Sequence, residues 1–101
     1  MTYYIKDIAL SAQKALIAMI TPNMRYISVG LEQNTIKLLF VFDNDILEDD
    51  RKNISIIVNK IISDYDNLNI ETQSITVPAN ENLPKFSKCY SRCVFYRKEN
   101  F

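Results

Sequence analysis

Five carboxylates follow the most apolar strand-like run of the chain and lie within eight residues of one another. The run is Thr35 to Phe42, and the carboxylates are Asp43, Asp45, Glu48, Asp49 and Asp50. Paired carboxylates can serve as general acid and base, and carboxylate oxygens are ligands that Mg²⁺ accepts. Two other interpretations stay open: an acidic start that stabilises a helix, and an acidic surface that contacts a protein partner.

Other residues that commonly carry catalysis are scarce. The chain has no histidine and a single glycine, Gly30, within a predicted strand. It therefore has no imidazole base and no glycine-rich phosphate loop. The spacing of Cys89 and Cys93 does not match a zinc site, so two reduced thiols are expected, with a local disulfide or redox pair as the alternative. We expect no enzyme activity, no cofactor and no metal.

Composition predicts one globular domain over residues 1–101, since 48% of the residues are hydrophobic. Lysine and arginine together number 12, as do aspartate and glutamate, so no direct nucleic-acid binding is expected. The charge is nevertheless uneven. Residues 43–71 hold eight acidic side chains against three basic ones, while residues 85–98 hold five basic side chains and no acidic one.

No targeting or membrane segment is expected. Lys6, Asp7, Gln13 and Lys14 interrupt the apolar residues near the start at helical spacing. No run approaches the roughly 20 apolar residues of a membrane span. The sequence therefore predicts a cytoplasmic protein without a membrane partner.

Periodicity predicts two helices and four strands that would position the carboxylates. The predicted elements, in chain order, are a helix over 4–20, strands over 24–31 and 35–42, a helix over 48–65, a strand over 69–77, and a strand from Tyr90 or Arg92 to Lys98. The strand over 35–42 is apolar on both faces and should be interior, whereas the polar strand over 69–77 should be an edge.

This order predicts an α+β fold, αββαββ, with two helices on one face of a four-stranded antiparallel sheet. A right-handed crossover through the second helix favours strand order 1-2-4-3, with 1-2-3-4 as the alternative. The opposite face would then be exposed and could form an interaction surface or a homodimer contact. Its predicted residues are Tyr26, Ser28, Leu39, Val41, Val94 and Tyr96, or the opposite set of alternating positions if the strand register differs.

The basic segment 85–98 also contains aromatic residues: Phe86, Tyr90, Phe95 and Tyr96. Basic and aromatic side chains on a sheet can hold single-stranded nucleic acid. The simpler interpretation is that the aromatic residues belong to the core or the sheet face, while the lysines keep the edge soluble. A small nucleic-acid-binding or dimeric module therefore stays as the alternative function.

Several short segments resemble one family of proteins. These are Ala15-Leu16, the run Thr21-Pro22-Asn23-Met24-Arg25, the run Phe42 to Asp45, and the run Tyr96 to Glu99. Together they resemble small bacterial immunity proteins that accompany contact-dependent growth inhibition and other polymorphic toxins. Asn44 stands where that family's pattern suggests glycine, and Leu47 stands where a serine cap would be natural.

The resemblance implies a protein that binds and neutralises the C-terminal domain of a cognate secreted toxin. Such toxins are often nucleases, whose active sites are positively charged because they hold phosphates. An inhibitor of such a site would present carboxylates, which raise both the association rate and the specificity. Asp43, Asp45, Glu48, Asp49 and Asp50 are therefore the predicted toxin-binding residues, and the resemblance implies no catalytic ones.

Overall fold

The computed structural model describes residues 4–65, 67–86, 90 and 92–98. The elements, in chain order, are α1 (Ile5–Ala15), β1 (Met24–Glu32), β2 (Thr35–Phe42), α2 (Glu48–Asp64), β3 (Asn69–Thr76) and β4 (Arg92–Tyr96). The predicted α+β architecture is confirmed.

The sheet has strand order β3-β2-β1-β4, so both predicted orders are wrong. It is also mixed rather than antiparallel, because β2 and β3 pair in parallel while β1 is antiparallel to both β2 and β4. The crossover through α2 places β3 directly beside β2 without leaving a gap. β4 therefore pairs with the open edge of β1. The predictions that β2 is interior and β3 is an edge are confirmed.

Both helices cover one face of the sheet. Alternate positions of the two central strands face them, because successive side chains of a strand point to opposite sides. Ile8 of α1 and Ile57 of α2 join Phe40 of β2 in one buried cluster, and all three are at most 1% exposed. Burial of such a side chain contributes about 1.5–3 kcal/mol, so this cluster holds the two layers together.

Helix α1 is shorter than predicted. It ends at Ala15, and Ala18 adopts a positive φ of 64°. In the turn after Ala15 the backbone makes hydrogen bonds between residues three positions apart, for example from the N–H of Met19 to the carbonyl of Leu16 at 2.9 Å. The left-handed conformation costs an alanine about 1–2 kcal/mol. With Ala18 in this conformation, the helix cannot continue to Pro22.

The opposite face of the sheet is not the exposed surface that the sequence predicted. Leu39 is 1% exposed, and Val41 and Ser28 are fully buried. Since β3 and β4 lie at opposite edges, the chain that joins them must pass across the sheet. Residues 77–86 lie on this face, where Phe86 stacks on Tyr26 with ring centroids 5.4 Å apart. The prediction that Ser28, Leu39 and Val41 are exposed is therefore wrong, whereas Tyr96 is half-exposed as predicted.

Arg25 fastens the crossing segment to β1. Its side chain is 1% exposed, and its guanidinium donates to the carbonyls of Val77 and Pro78, each at 3.1 Å, and of Glu81 at 2.6 Å. One arginine supplies several donors in a fixed geometry, so a single side chain can hold three carbonyls of an irregular segment at once. The buried arginine thus holds residues 77–81 against the sheet.

Candidate functional site

The five predicted carboxylates lie at one end of the molecule, where β2 ends and α2 begins. Asp45, Glu48 and Asp49 are exposed, and Asp43 is half-buried. Asp50, in contrast, is 2% exposed and does not belong to the surface. The structure thus brings the five residues together but divides them into an exposed set and an internal set.

Asp50 holds the start of α2 to the loop that precedes β1. One carboxylate oxygen accepts a hydrogen bond from the Thr21 hydroxyl at 2.6 Å. The other accepts from the Asn23 side-chain amide and from the Leu47 backbone N–H, both at 2.9 Å. Leu47 occupies the N-cap position of α2, but its apolar side chain cannot accept a hydrogen bond from the first turn. The side chain of Asp50 reaches back and accepts from the Leu47 backbone N–H.

These contacts also decide the ionisation of Asp50. Burial alone would raise the pKa of its carboxyl, but the three hydrogen bonds and nearby Arg51 lower that pKa below the ordinary value of 3.8. Hydrogen bonds to the charged form favour it, so the group is a fixed carboxylate at neutral pH. Its charge serves the fold and is not presented to a partner.

Asn23 connects three segments at this end. Besides its bond to Asp50, its amide donates to the Asp45 carbonyl at 2.8 Å. Its side-chain oxygen accepts from the Asn44 N–H at 2.9 Å, and its backbone carbonyl accepts from the Asp43 N–H at 3.1 Å. The connection between β2 and α2 is thereby held in one conformation, so Asp45 has a defined position.

Asp43 is held by a residue from the far end of the chain. Its carboxylate pairs with Arg97 at 2.7 Å, and the Arg97 side chain also donates to the Pro22 carbonyl at 3.0 Å. The two side chains are 16% and 26% exposed, so solvent weakens this pair less than a surface pair. Asp43 thus joins β2 to the residue that follows β4.

The residues that carry the family resemblance are the ones that build this end. Thr21 and Asn23 bind Asp50, Arg25 binds the crossing segment, and Arg97 binds Asp43. The sequence pattern marks these residues as landmarks but does not show that Thr21, Asn23 and Arg97 are partners of the carboxylates, or that Arg25 binds backbone carbonyls. The signal that could have found them is the clustering of side-chain donors in a short Thr-Pro-Asn-x-Arg run, opposite internal carboxylates.

An open depression of about 630 Å³ adjoins the exposed carboxylates. Its lining comes from the loop before β1, the connection from β2 to α2, and the end of β3. The lining residues are Pro22, Asn23, Asp43, Asn44, Asp45, Leu47, Thr76 and Pro78. The Thr76 hydroxyl donates to the Asn44 carbonyl at 3.2 Å, which ties two of its walls together.

The aromatic residues of the basic segment contribute to packing. Phe95 packs against the core, Phe86 stacks on Tyr26, and the Tyr90 hydroxyl donates to the Gln73 side chain at 3.0 Å. Tyr96 is half-exposed and contacts Tyr26 edge-on. These contacts agree with the simpler interpretation, in which the rings serve the sheet and not a nucleic acid.

The remaining sequence expectations concern thiols, metals and membranes. Cys93 is an exposed free cysteine, while Cys89 lies outside the described residues, so the state of the pair stays a prediction. Across the described ranges, no three His, Cys, Asp or Glu side chains are grouped as a metal site would require. In the same part of the chain, no helix combines the length and apolar character of a membrane span.

The fold and this end of it define a small two-layer α+β protein with an exposed acidic surface beside an open depression. A family model, described as "MafI2 immunity protein", matches residues 5–99, and the chain belongs to that family. The expectation of an immunity protein is thus confirmed at the level of the family. No curated protein matches the chain.

Proposed function

We propose that this protein binds and neutralises a cognate toxin domain inside the cell that makes both. The observation that carries this proposal is the match of residues 5–99 to an immunity protein family. Inhibition would be stoichiometric and not enzymatic, in keeping with a sequence that has no histidine. The toxin domain would be the C-terminal part of a secreted protein of a contact-dependent inhibition system.

The acidic end of the molecule is the proposed contact surface. Asp45, Glu48 and Asp49 are exposed there, close to one another in sequence around the start of α2, and Asn23 holds the Asp45 backbone. A nuclease toxin must hold phosphates and therefore carries a basic active site. Three exposed carboxylates at one end of the molecule would attract such a site, accelerate association and oppose binding to acidic surfaces.

The proposal is tested with the toxin domain encoded by the adjacent reading frame. Co-expression of this protein should restore the growth of cells that produce that domain, and the two purified proteins should form a one-to-one complex. The matched control is an unrelated immunity protein of similar size and charge, which should give no rescue. Equal killing with and without this protein would refute the assignment.

The contact surface is tested separately by neutralising its charges. A triple variant, D45N/E48Q/D49N, removes three exposed carboxylates without touching the internal Asp43 and Asp50. We expect it to fold normally and to bind the toxin domain at least tenfold more weakly, with a smaller dependence of the association rate on salt.

The control variant, D7N/E32Q/E71Q, removes the same number of charges near the end of α2 and the β1–β2 turn, one of them the Lys37 partner Glu71. At the β1–β2 turn, the Asn34 carbonyl accepts from the N–H of Asn69 at 2.9 Å. The control variant should retain wild-type affinity. If both triple variants bind equally well, the acidic end is not the contact surface, although the immunity assignment would stand.

A further inference from the structure

Leu47 is an exposed apolar residue at a position where the fold would favour a polar one. It precedes the first turn of α2 with an extended backbone, and its side chain is 60% exposed. Serine, threonine, aspartate or asparagine at such a position accepts a hydrogen bond from the first turn, and leucine cannot. The helix therefore gains nothing from this side chain. A local rule broken without a benefit to the fold is expected at a functional site.

The depression described above begins beside Leu47. Pro22, Leu47 and Pro78 give it apolar walls, while Asp43 and Asp45 contribute carboxylates. Its volume of about 630 Å³ lies within the range of ligand pockets, so a whole side chain fits. Apolar walls with acceptors at one end match an amphipathic cation, which has an aliphatic stem and a charged head.

The walls of the depression are already fixed in the unbound protein. Asn23 holds both Asn44 and the Asp45 backbone, and Thr76 holds Asn44 from the side of β3. Asp50 holds the Leu47 backbone at 2.9 Å. A guest would therefore bind without first having to order this surface, which is the condition for a strong contact.

We propose that this depression receives an arginine or lysine side chain of the cognate toxin domain, and that Leu47 packs on the apolar surface around that residue. Asp43 is already paired with Arg97, so the exposed carboxylate of Asp45 decides the charge of the guest. Covering an exposed apolar side chain inside a polar rim removes apolar surface from water, which favours the complex. The inference rests on the proposed function and adds the residue that anchors the complex.

The decisive variant is Leu47→Ser, because this substitution should maintain or raise stability while it weakens toxin binding. Serine caps the helix, so the melting temperature should stay unchanged or rise. Affinity for the catalytically inactive toxin domain of the adjacent reading frame should fall at least tenfold. Ile17→Ser is the matched control: Ile17 is 70% exposed in the turn after α1, and its substitution should change affinity less than twofold.

The charge of the guest is tested by reversing one carboxylate. Asp45→Arg should abolish detectable binding, and changing one exposed arginine or lysine of the toxin domain to glutamate should restore it. Leu47→Ser binding as tightly as Ile17→Ser would overturn the inference. The same holds if no toxin variant restores binding to Asp45→Arg.

These failures differ from a failure of the proposed function. If the wild-type protein does not bind or neutralise the toxin domain, the immunity assignment fails for this pair. If the wild type binds and D45N/E48Q/D49N does not, but Leu47→Ser binds normally, the acidic surface stands. In that case only the depression and its apolar anchor are rejected.

Discussion

Replacement of Asp50 by alanine should destabilise the protein far more than the same change at Asp49, its neighbour in sequence. Asp50 is 2% exposed and accepts three hydrogen bonds, from Thr21, Asn23 and the Leu47 backbone. Asp49 is exposed in the same turn of α2. The two positions share charge, residue type and helix, so the comparison isolates the internal contacts.

The magnitude follows from the donors that lose their acceptor. Each donor left without a partner costs about 1–3 kcal/mol, and the lower figure applies to all three because Thr21, Asn23 and Leu47 are each reached by solvent. Three donors give a loss of about 3 kcal/mol in the free energy of unfolding. For a domain of this size such a loss lowers the melting temperature by roughly 10–20 °C.

Urea unfolding followed by circular dichroism measures this loss. With an m-value of about 1.5 kcal/mol/M, the midpoint for Asp50→Ala should fall by about 2 M. Asp50→Asn should lose only about 1 kcal/mol, since its amide oxygen can still serve Asn23 and Leu47 while its NH₂ donates to Thr21. Asp49→Ala should stay within about 0.5 kcal/mol of wild type. Equal stability of the two alanine variants would refute the internal role of Asp50.

Three further predictions are checked by urea unfolding, and the last one also by amide hydrogen exchange. The pKa of Asp50 is lowered in the folded state, so its contribution to the free energy of unfolding is complete above the unfolded value of 3.8 and is lost as pH falls through the folded value. The stabilities of wild type and Asp50→Asn should therefore differ at pH 7 and converge in acid. A difference that stays constant with pH would contradict this. Val41→Asp should cost at least about 3 kcal/mol, because Val41 is fully buried, whereas an exposed face would tolerate it. Arg25→Met should cost about 2 kcal/mol and accelerate amide exchange within residues 77–86, since three carbonyls lose a donor; unchanged exchange would show that Arg25 does not hold the segment.

Local patterns predicted the elements well where short-range contacts decide them. Strand β2 has the predicted bounds, and the start of α2 at Glu48 is as expected. The end of α1 was misplaced because Pro22 is a strong stop signal, whereas the left-handed Ala18 has no mark in the sequence. A residue with an unfavourable φ is held there by contacts with the surrounding structure. Hydrophobic periodicity carries no information about such contacts.

The strand order could not be predicted from the same patterns. A crossover predicts that β2 and β3 run in the same direction, but not whether another strand lies between them. β4 pairs with β1 at the edge opposite to β3, and Leu39 and Val41 are buried on the face that carries Tyr26. The prediction of an exposed face depended on the wrong strand order, and the observed strand order corrects it.

The candidate site was predicted in position but not in composition. The five carboxylates do meet at one end, because they are close in sequence. Asp50 became internal because the loop with Thr21 and Asn23 packs over it, and Asp43 became internal because Arg97 reaches it from the end of β4. The sequence marks Leu47 only as an unusual residue at the N-cap of α2, because the exposure of its side chain depends on the folded structure.

The sequence by itself determined the α+β class, the order of helices and strands and the concentration of acidic charge after β2, because each depends on residues that are near one another in the chain. The tertiary structure alone decided which carboxylates face solvent, what covers the second face of the sheet, and where the depression lies. These depend on contacts between residues 20 to 75 positions apart, such as Asn23 with Asp50 and Arg97 with Pro22. Such contacts form only when the whole chain has folded, so no local pattern records them.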